Sequence, residues 1–323
     1  MVRRLAGHFS LLTKKQAAQV SSFAHADLPP VRVIEDGPVR SVIEVMFAYQ
    51  NSLICQHYKL PKHGTQIEIQ THVHWSQSVK MLKLAVPIIP HDDYHYIGQT
   101  AYGIADLPSA GREAVAQKWV AVVSKRKNLA ITCINTGVYG SDFDGRELRL
   151  SLLRSPAYSG HPIEDRPIVP KDRHTPCIDQ GDRTFTFYFN SGPAAARLAA
   201  VDREALVANE APYALSFFPE ELGKLPKSFV NLSDNVIQIT AMKMAESGND
   251  LIIRLFEPTG RKRHTTLSLP SIRLKKKLTL NKFEVRTLRI NLKSRRISEN
   301  NLLERNTAYS CYPKSRLKCN ALT

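Results

Sequence analysis

Two segments of this chain repeat with a strict period of two, and they limit the folds open to it. In Glu147-Leu-Arg-Leu-Ser-Leu-Leu-Arg154, residues Leu148, Leu150 and Leu152 alternate with Arg149 and Ser151. Side chains return to the same face every second residue only in an extended chain, so this is a strand with one buried face. Ser155-Pro156 ends it, because proline has no N–H to give to a ladder. The second segment, Thr184 to Asn190, places Phe185, Phe187 and Phe189 on one face. The two are joined by a polar connection with Pro162, Pro167, Pro170 and Pro176, ending in Asp179-Gln180-Gly181. Long loops held by rigid strands are where binding groups collect.

The same grammar recurs along the chain. Strands are predicted at Val39 to Tyr49, Ser52 to Leu60, Gln66 to Trp75, Met81 to Pro87, Lys118 to Ser124 and Leu129 to Asn135. Turns punctuate them at Gly37-Pro38, at Pro61 to Gly64, and at Asp142-Phe-Asp-Gly145. His91 to Glu113 reads as loop. Ala194 to Asn209 carries Leu198, Val201, Ala205 and Leu206 at helical spacing. Further strands are predicted at Ser228 to Leu232, Val236 to Met242, Leu251 to Phe256, Thr265 to Leu269 and Leu278 to Ile290. Regular short strands with turns between them define an all-β fold: a large β-sandwich, one helix, then a smaller β-sandwich. The expected domains are a lead at 1–28, poorly ordered or helical from Thr13 to Val20, and a large sandwich at 29–218. A linker at Pro219 to Pro226, a small sandwich at 227–291 and a disordered basic tail at 292–323 follow.

The net charge of +16 is unevenly spread: from Arg254 onward eighteen Lys and Arg face four Glu, a difference of +14. Nucleic-acid binding by Arg261 to His264 and Lys275 to Lys277 is not expected, since no aromatic residues are interleaved and no recognition motif accompanies them. A solvated basic surface is the plainer reading. Five cysteines, Cys55, Cys133, Cys177, Cys311 and Cys319, are odd in number and contain no CxxC pair, which argues against a disulfide framework or zinc ribbon. A reducing, cytoplasmic setting is expected. No apolar run is long enough to span a membrane. The N-terminus is basic and free of acidic residues up to Asp27, but His8 and Lys14-Lys15 interrupt any signal-peptide core. A transit peptide, or a start inside a longer ancestral reading frame, are the readings left for it.

Eight short stretches, in order over roughly residues 30 to 290, together resemble the C-terminal portion of glycoside hydrolase family 38, the α-mannosidases. They are Val33 to Arg40; Thr71-His-Val-His-Trp75 with Leu82 to Pro87; Glu113 to Trp119; Asn135 to Gly140; Leu152-Leu-Arg-Ser-Pro156; Asp179-Gln-Gly181 with the aromatic strand; Phe256-Glu-Pro-Thr-Gly260; and Phe283 to Leu288. Arg183 stands where the family usually has histidine, and His74 where it often has an acidic residue. The resemblance implies a galactose-mutarotase-like large sandwich and a part in hydrolysing terminal α-mannosyl residues. It also implies a separate N-terminal catalytic domain, or a separate chain carrying one, as partner. That domain would supply the nucleophile and a zinc held by His and Asp residues.

A retaining glycosidase needs two carboxyl groups about 5 Å apart, and no catalytic residue is assigned within this chain. Asp92 and Asp93 are adjacent on a loop and do not offer that spacing. Tyr139, Arg154 and Asp179 are the candidates for substrate contact: arginine can hold a carboxylate bidentately, and tyrosine can stack on a sugar face. The structural alternative is that Arg154 and Asp179 pair with each other or cap turns. No metal is assigned to the chain. His72 and His74, two apart on one strand face, and His91 and His95, flanking Asp92-Asp93, are the residues that could contribute ligands. A zinc site needs three or four that converge. A stand-alone carbohydrate-binding module or a basic interaction module is the alternative function.

Overall fold

A computed structural model of the chain describes residues 9–20, 28–89, 93–156, 176–213 and 228–305. The fold is all-β with one long helix and divides into two units, Met1–Tyr213 and Ala214–Thr323. No described helix is long and apolar enough to cross a membrane.

In the first unit, one antiparallel sheet runs through Ser10–Leu11, Arg40–Tyr49, Ser52–Pro61, Ile67–Trp75 and Gly181–Pro193. It continues through Leu129–Asn135, Trp119–Ser124, Tyr94–Thr100 and Gly103–Asp106. Val31–Asp36 pairs with the first half of Arg40–Tyr49. A smaller sheet, Met81–Pro87, Glu147–Arg154, Gly140–Phe143 and Ala114–Val115, packs against it. Trp75, Tyr96, Phe143, Leu148, Leu150 and Phe187 fill the space between. The period of two in both organising strands is the imprint of this sandwich. It slips once, at a bulge between Ser151 and Leu153, so Leu152 and Leu153 are both buried.

The other face of the large sheet is covered by the helix Ala194–Asn209, whose Val201 and Ala205 pack on Trp119, Ala121 and Ile134. Polar contacts fix the helix as well. Asp202 accepts from Trp119 Nε1 (3.0 Å) and Gln99 Nε2 (2.7 Å), and Arg197 donates to Thr132 Oγ1 (2.9 Å). The carbonyl of Asn128 takes the first helical N–H, that of Ala194, at 2.9 Å.

Burial on both faces explains one departure from expectation. Residues 91–113 read as loop, yet they contain the strands Tyr94–Thr100 and Gly103–Asp106. Tyr96 faces the sandwich core and Ile97 faces the helix, so no alternation survives to be read. The expected turn at 142–145 begins inside the strand Gly140–Phe143, because Phe143 is a core residue. Of the lead, residues 9–20 and 28 are described, and they include the expected helix. Ser10–Leu11 joins the large sheet, and Lys14–Val20 is a helix with a reciprocal cap between Thr13 and Gln16. Leu12 and Ala17 are buried against Met46.

The second unit is a sandwich of two sheets. One contains Asn231–Leu232, Arg263–Leu269 and Leu274–Leu280; the other contains Gln238–Met244, Leu251–Phe256, Val285–Ile290 and Ile297–Asn300. Ile253, Leu255, Leu267, Leu269, Leu280 and Leu288 form the core between them. The run 278–290, read as one strand, is two, parted where Phe283 takes a positive φ of 53°. Residues 297–300, read as tail, form the last strand on Thr287–Ile290. The rest of the expected tail from 306 and the expected linker at 219–226 lie outside the described residues. Lys275, Lys276 and Lys277 are exposed on Leu274–Leu280, the edge strand of its sheet. Lysine there opposes pairing with a further chain. Cys55, Cys133 and Cys177 are free thiols.

Candidate functional site

Three of the sequence markers meet at one end of the large sandwich, around the buried Ser155. Its hydroxyl donates to the carbonyl of Gln77 (2.6 Å) and accepts from Trp75 Nε1 (3.2 Å). Its backbone pairs with Val79 N (2.6 Å) and Lys80 O (2.8 Å). Gln180 Nε2 reaches the same Gln77 carbonyl at 2.7 Å, and Gly181 is the register partner of Trp75. The Thr71–Trp75 stretch, the Leu152–Pro156 stretch and Asp179–Gly181 are therefore one hydrogen-bonded assembly. Its buried indole and hydroxyl both have partners, as burial demands.

Arg154 and Asp179 sit on the rim of this assembly. Arg154 is exposed at the strand end, and Asp179 follows Ile178, whose N–H bonds to Pro156 O at 3.1 Å. Asp179 adopts a positive φ of 56° and lies 4.0 Å from Arg183. Its ionic partner is thus Arg183, not Arg154. Tyr139 is half-exposed in the crossing from the large sheet to the small one. Asn135 shapes that crossing by accepting from the N–H groups of Gly137 and Val138, both at 3.1 Å. Among the described residues, no hydrogen bond or ion pair joins Tyr139, Arg154 and Asp179 to one another.

Among the described residues, the candidate histidines His72, His74 and His95 form no common ligand set. His72 and His74 share a face as expected, but each is engaged by the neighbouring strand: His72 Nδ1 with Thr184 Oγ1 and His74 Nδ1 with Asp182, both at 3.0 Å. His95 pairs with Asp106 at 2.6 Å on a strand at the other side of the sheet. His91 lies outside the described residues. Among the described residues, the pairs His74–Asp182 and His95–Asp106 are separate and make no joint ligand set of the kind the resemblance assigns to a catalytic zinc.

A different cluster does form. Glu44 and His57 are register partners, and Cys55 lies two residues before His57 on the same face. Glu44 Oε2 is 3.0 Å from His57 Nε2 and 3.6 Å from Cys55 Sγ, and Sγ is 3.6 Å from Nε2. Arg32 holds the other carboxylate oxygen at 2.6 Å. Burial would raise the Glu44 carboxyl, but the bond from His57 and the Arg32 charge outweigh it and hold it below the usual range. Burial and the same carboxylate push the Cys55 thiol up to about 12. The sequence carried a signal for this set. A two-residue hairpin turn at Gln50-Asn51 fixes the register of its strands, and so places residue 44 opposite 57.

In the second unit the last two sequence markers are joined by one side chain. Glu257 is fully buried, and its carboxylate accepts from the N–H groups of Thr259 (2.9 Å), Arg261 (3.0 Å) and Phe283 (3.1 Å). The Thr259 hydroxyl and Arg263 Nε complete its shell. Gly260 has a φ of 71°, and a Cβ there would stand 2.7 Å from the Phe283 ring. The Glu-Pro-Thr-Gly turn and the Phe283 turn are thus built for each other. Arg263, from the basic run 261–264, also bonds Asp234 and is spent on structure.

The chain is thus two β-sandwiches in series, with three of its sequence markers bonded to one another in the first. Comparison with known proteins makes the assignment. Residues 8–169 match the glycosyl hydrolases family 38 C-terminal domain, and residues 236–320 match the family 38 C-terminal β-sandwich domain. The chain belongs to glycosyl hydrolase family 38. It is 24% identical over 246 residues to alpha-mannosidase G of Dictyostelium discoideum, covering 71% of this chain and 21% of that protein. In fold it is similar to an alpha-mannosidase from Enterococcus faecalis, with a TM-score of 0.64 and 15% identity over 81% of this chain and 35% of that one. The chain therefore spans about a fifth of its Dictyostelium relative and about a third of the bacterial structure.

Proposed function

We propose that this chain is the C-terminal, non-catalytic portion of an α-mannosidase that hydrolyses terminal α-mannosyl residues. The observation that carries the reading is the order of the matches: both family 38 C-terminal domains occur, one in each unit. The nucleophile and the catalytic zinc come with an N-terminal catalytic domain, on the same or a separate polypeptide. On this reading Arg154 and Asp179, on the rim around Ser155, and Tyr139, in the crossing between the sheets, face the sugar or that domain. A built, fully bonded base beneath exposed polar side chains suits positioning work.

The test is reconstitution. A catalytic region of a family 38 enzyme, expressed alone, is mixed with this chain and assayed on a chromogenic α-mannoside. The reading expects turnover to rise on mixing and the rise to fall about tenfold or more with Arg154→Ala, as for a misplaced positioning group. A mixture no more active than the catalytic region alone contradicts it.

A further inference from the structure

We propose that Glu44, Cys55 and His57 form a binding site for a thiophilic divalent cation, with Zn²⁺ as the best match. The site stands independently of the mannosidase reading.

The donor set is the first reason. A thiolate, an imidazole and a carboxylate are the three ligand types that zinc takes, at about 2.3, 2.0–2.1 and 2.0–2.2 Å. Tetrahedral angles at those lengths put a sulfur–nitrogen edge at about 3.5 Å and an oxygen–nitrogen edge at about 3.4 Å. The chain holds Sγ and Nε2 3.6 Å apart, Sγ and Oε2 3.6 Å apart, and Oε2 and Nε2 3.0 Å apart. All three ligand atoms lie within 4.8 Å of one another. A cation at the common apex needs only the histidine–carboxylate edge to open by a few tenths of an ångström.

The frame is the second reason. The three residues sit on the paired strands Arg40–Tyr49 and Ser52–Pro61, where backbone register, not loop conformation, sets their spacing. Arg32 binds Oε1 of Glu44 and leaves Oε2 to the cluster, which is the arrangement of an oriented ligating carboxylate.

Access is the third. Cys55 and His72 line an open cleft of about 400 Å³, together with Met46, His74 and Asp182. The His57 and His72 rings meet edge to face with centroids 5.6 Å apart. Three protein ligands leave the fourth tetrahedral position to water from this cleft. On binding, the cation forms a bond to Cys55 Sγ, and the thiol proton is released to solvent.

The test is titration of the reduced, purified chain with Co²⁺ and then Zn²⁺. The expected result is one equivalent of Co²⁺ with a thiolate-to-cobalt charge-transfer band that Zn²⁺ displaces. Cys55→Ser loses the band, Cys177→Ser keeps it, and His57→Gln weakens Zn²⁺ binding by at least about 100-fold against a chromophoric chelator. Should Cys55→Ser alter the circular dichroism spectrum, the His57→Gln affinity decides. A wild-type chain without the band, a band that survives in folded Cys55→Ser, or His57→Gln affinity within about threefold of wild type each overturns the proposal.

Discussion

Replacing Glu257 with alanine removes the acceptor for three backbone N–H groups at once, those of Thr259, Arg261 and Phe283. A buried donor left unsatisfied costs about 1–3 kcal/mol. Some of that is recovered as water enters the shortened site, so about 1–1.5 kcal/mol each, or about 4 kcal/mol in all, is the working figure. Arg263 adds little, because it keeps Asp234. Glu257→Gln retains one oxygen but turns an amide NH₂ toward donors, and about 2 kcal/mol is expected. Domains are stable by only about 5–15 kcal/mol, so Glu257→Ala brings the second unit close to unfolding. Both tryptophans, Trp75 and Trp119, lie in the first unit. Their fluorescence should therefore be unmoved while hydrogen exchange of the Leu251–Phe256 amides accelerates. The pH dependence has a definite sign. Burial alone would raise the Glu257 carboxyl, but the Thr259 hydroxyl and the backbone N–H groups win and hold it below the usual range. Its stabilisation is thus full above the unfolded value of about 4.3 and is lost as pH falls through the lower folded value. Glu257→Gln should flatten that acid loss. A Glu257→Ala variant within about 1 kcal/mol of wild type, with amide protection intact at Thr259 and Phe283, would refute the reasoning.

Three further perturbations test the first unit, each read as a shift of the urea midpoint followed by tryptophan fluorescence. Ser155→Ala leaves Trp75 Nε1 buried without this acceptor, and about 1–3 kcal/mol should be lost. Gly98→Ala sets a Cβ 2.6 Å from Ala116 Cβ and 2.8 Å from Leu107 Cδ1, an overpacking worth about 1–3 kcal/mol. Phe187→Ala empties a fully buried site at the centre of the sandwich, for a loss of about 3–5 kcal/mol.

Strands with one dry face were legible in the sequence from their alternation, and Trp119–Ser124, buried on both faces, from its continuous apolar run. Glu147–Arg154 and the aromatic half of Gly181–Pro193 are half-buried, and their alternation states it directly. Tyr94–Thr100 was illegible because the core and the helix claim its two faces while His95, Gly98 and Gln99 interrupt any apolar run. Ile297–Asn300 was missed because it is a short edge strand amid charge, with little apolar surface to give it away. Of the site, the sequence picked out the segments that meet at Ser155 but not the bonds that join them, which span more than seventy residues. Glu44, Cys55 and His57 were missed for a different reason. Their nearness follows from hairpin register, whereas a search for histidine pairs leads to His72 and His74, which are held by other partners.

The measurement that bears most directly on the proposed function is hydrolysis of a chromogenic α-mannoside by the purified chain alone, with and without added zinc. No turnover is expected in either condition, even where zinc is bound. Zinc-dependent turnover by this chain would contradict the proposed function and would place the catalytic groups within these two sandwiches.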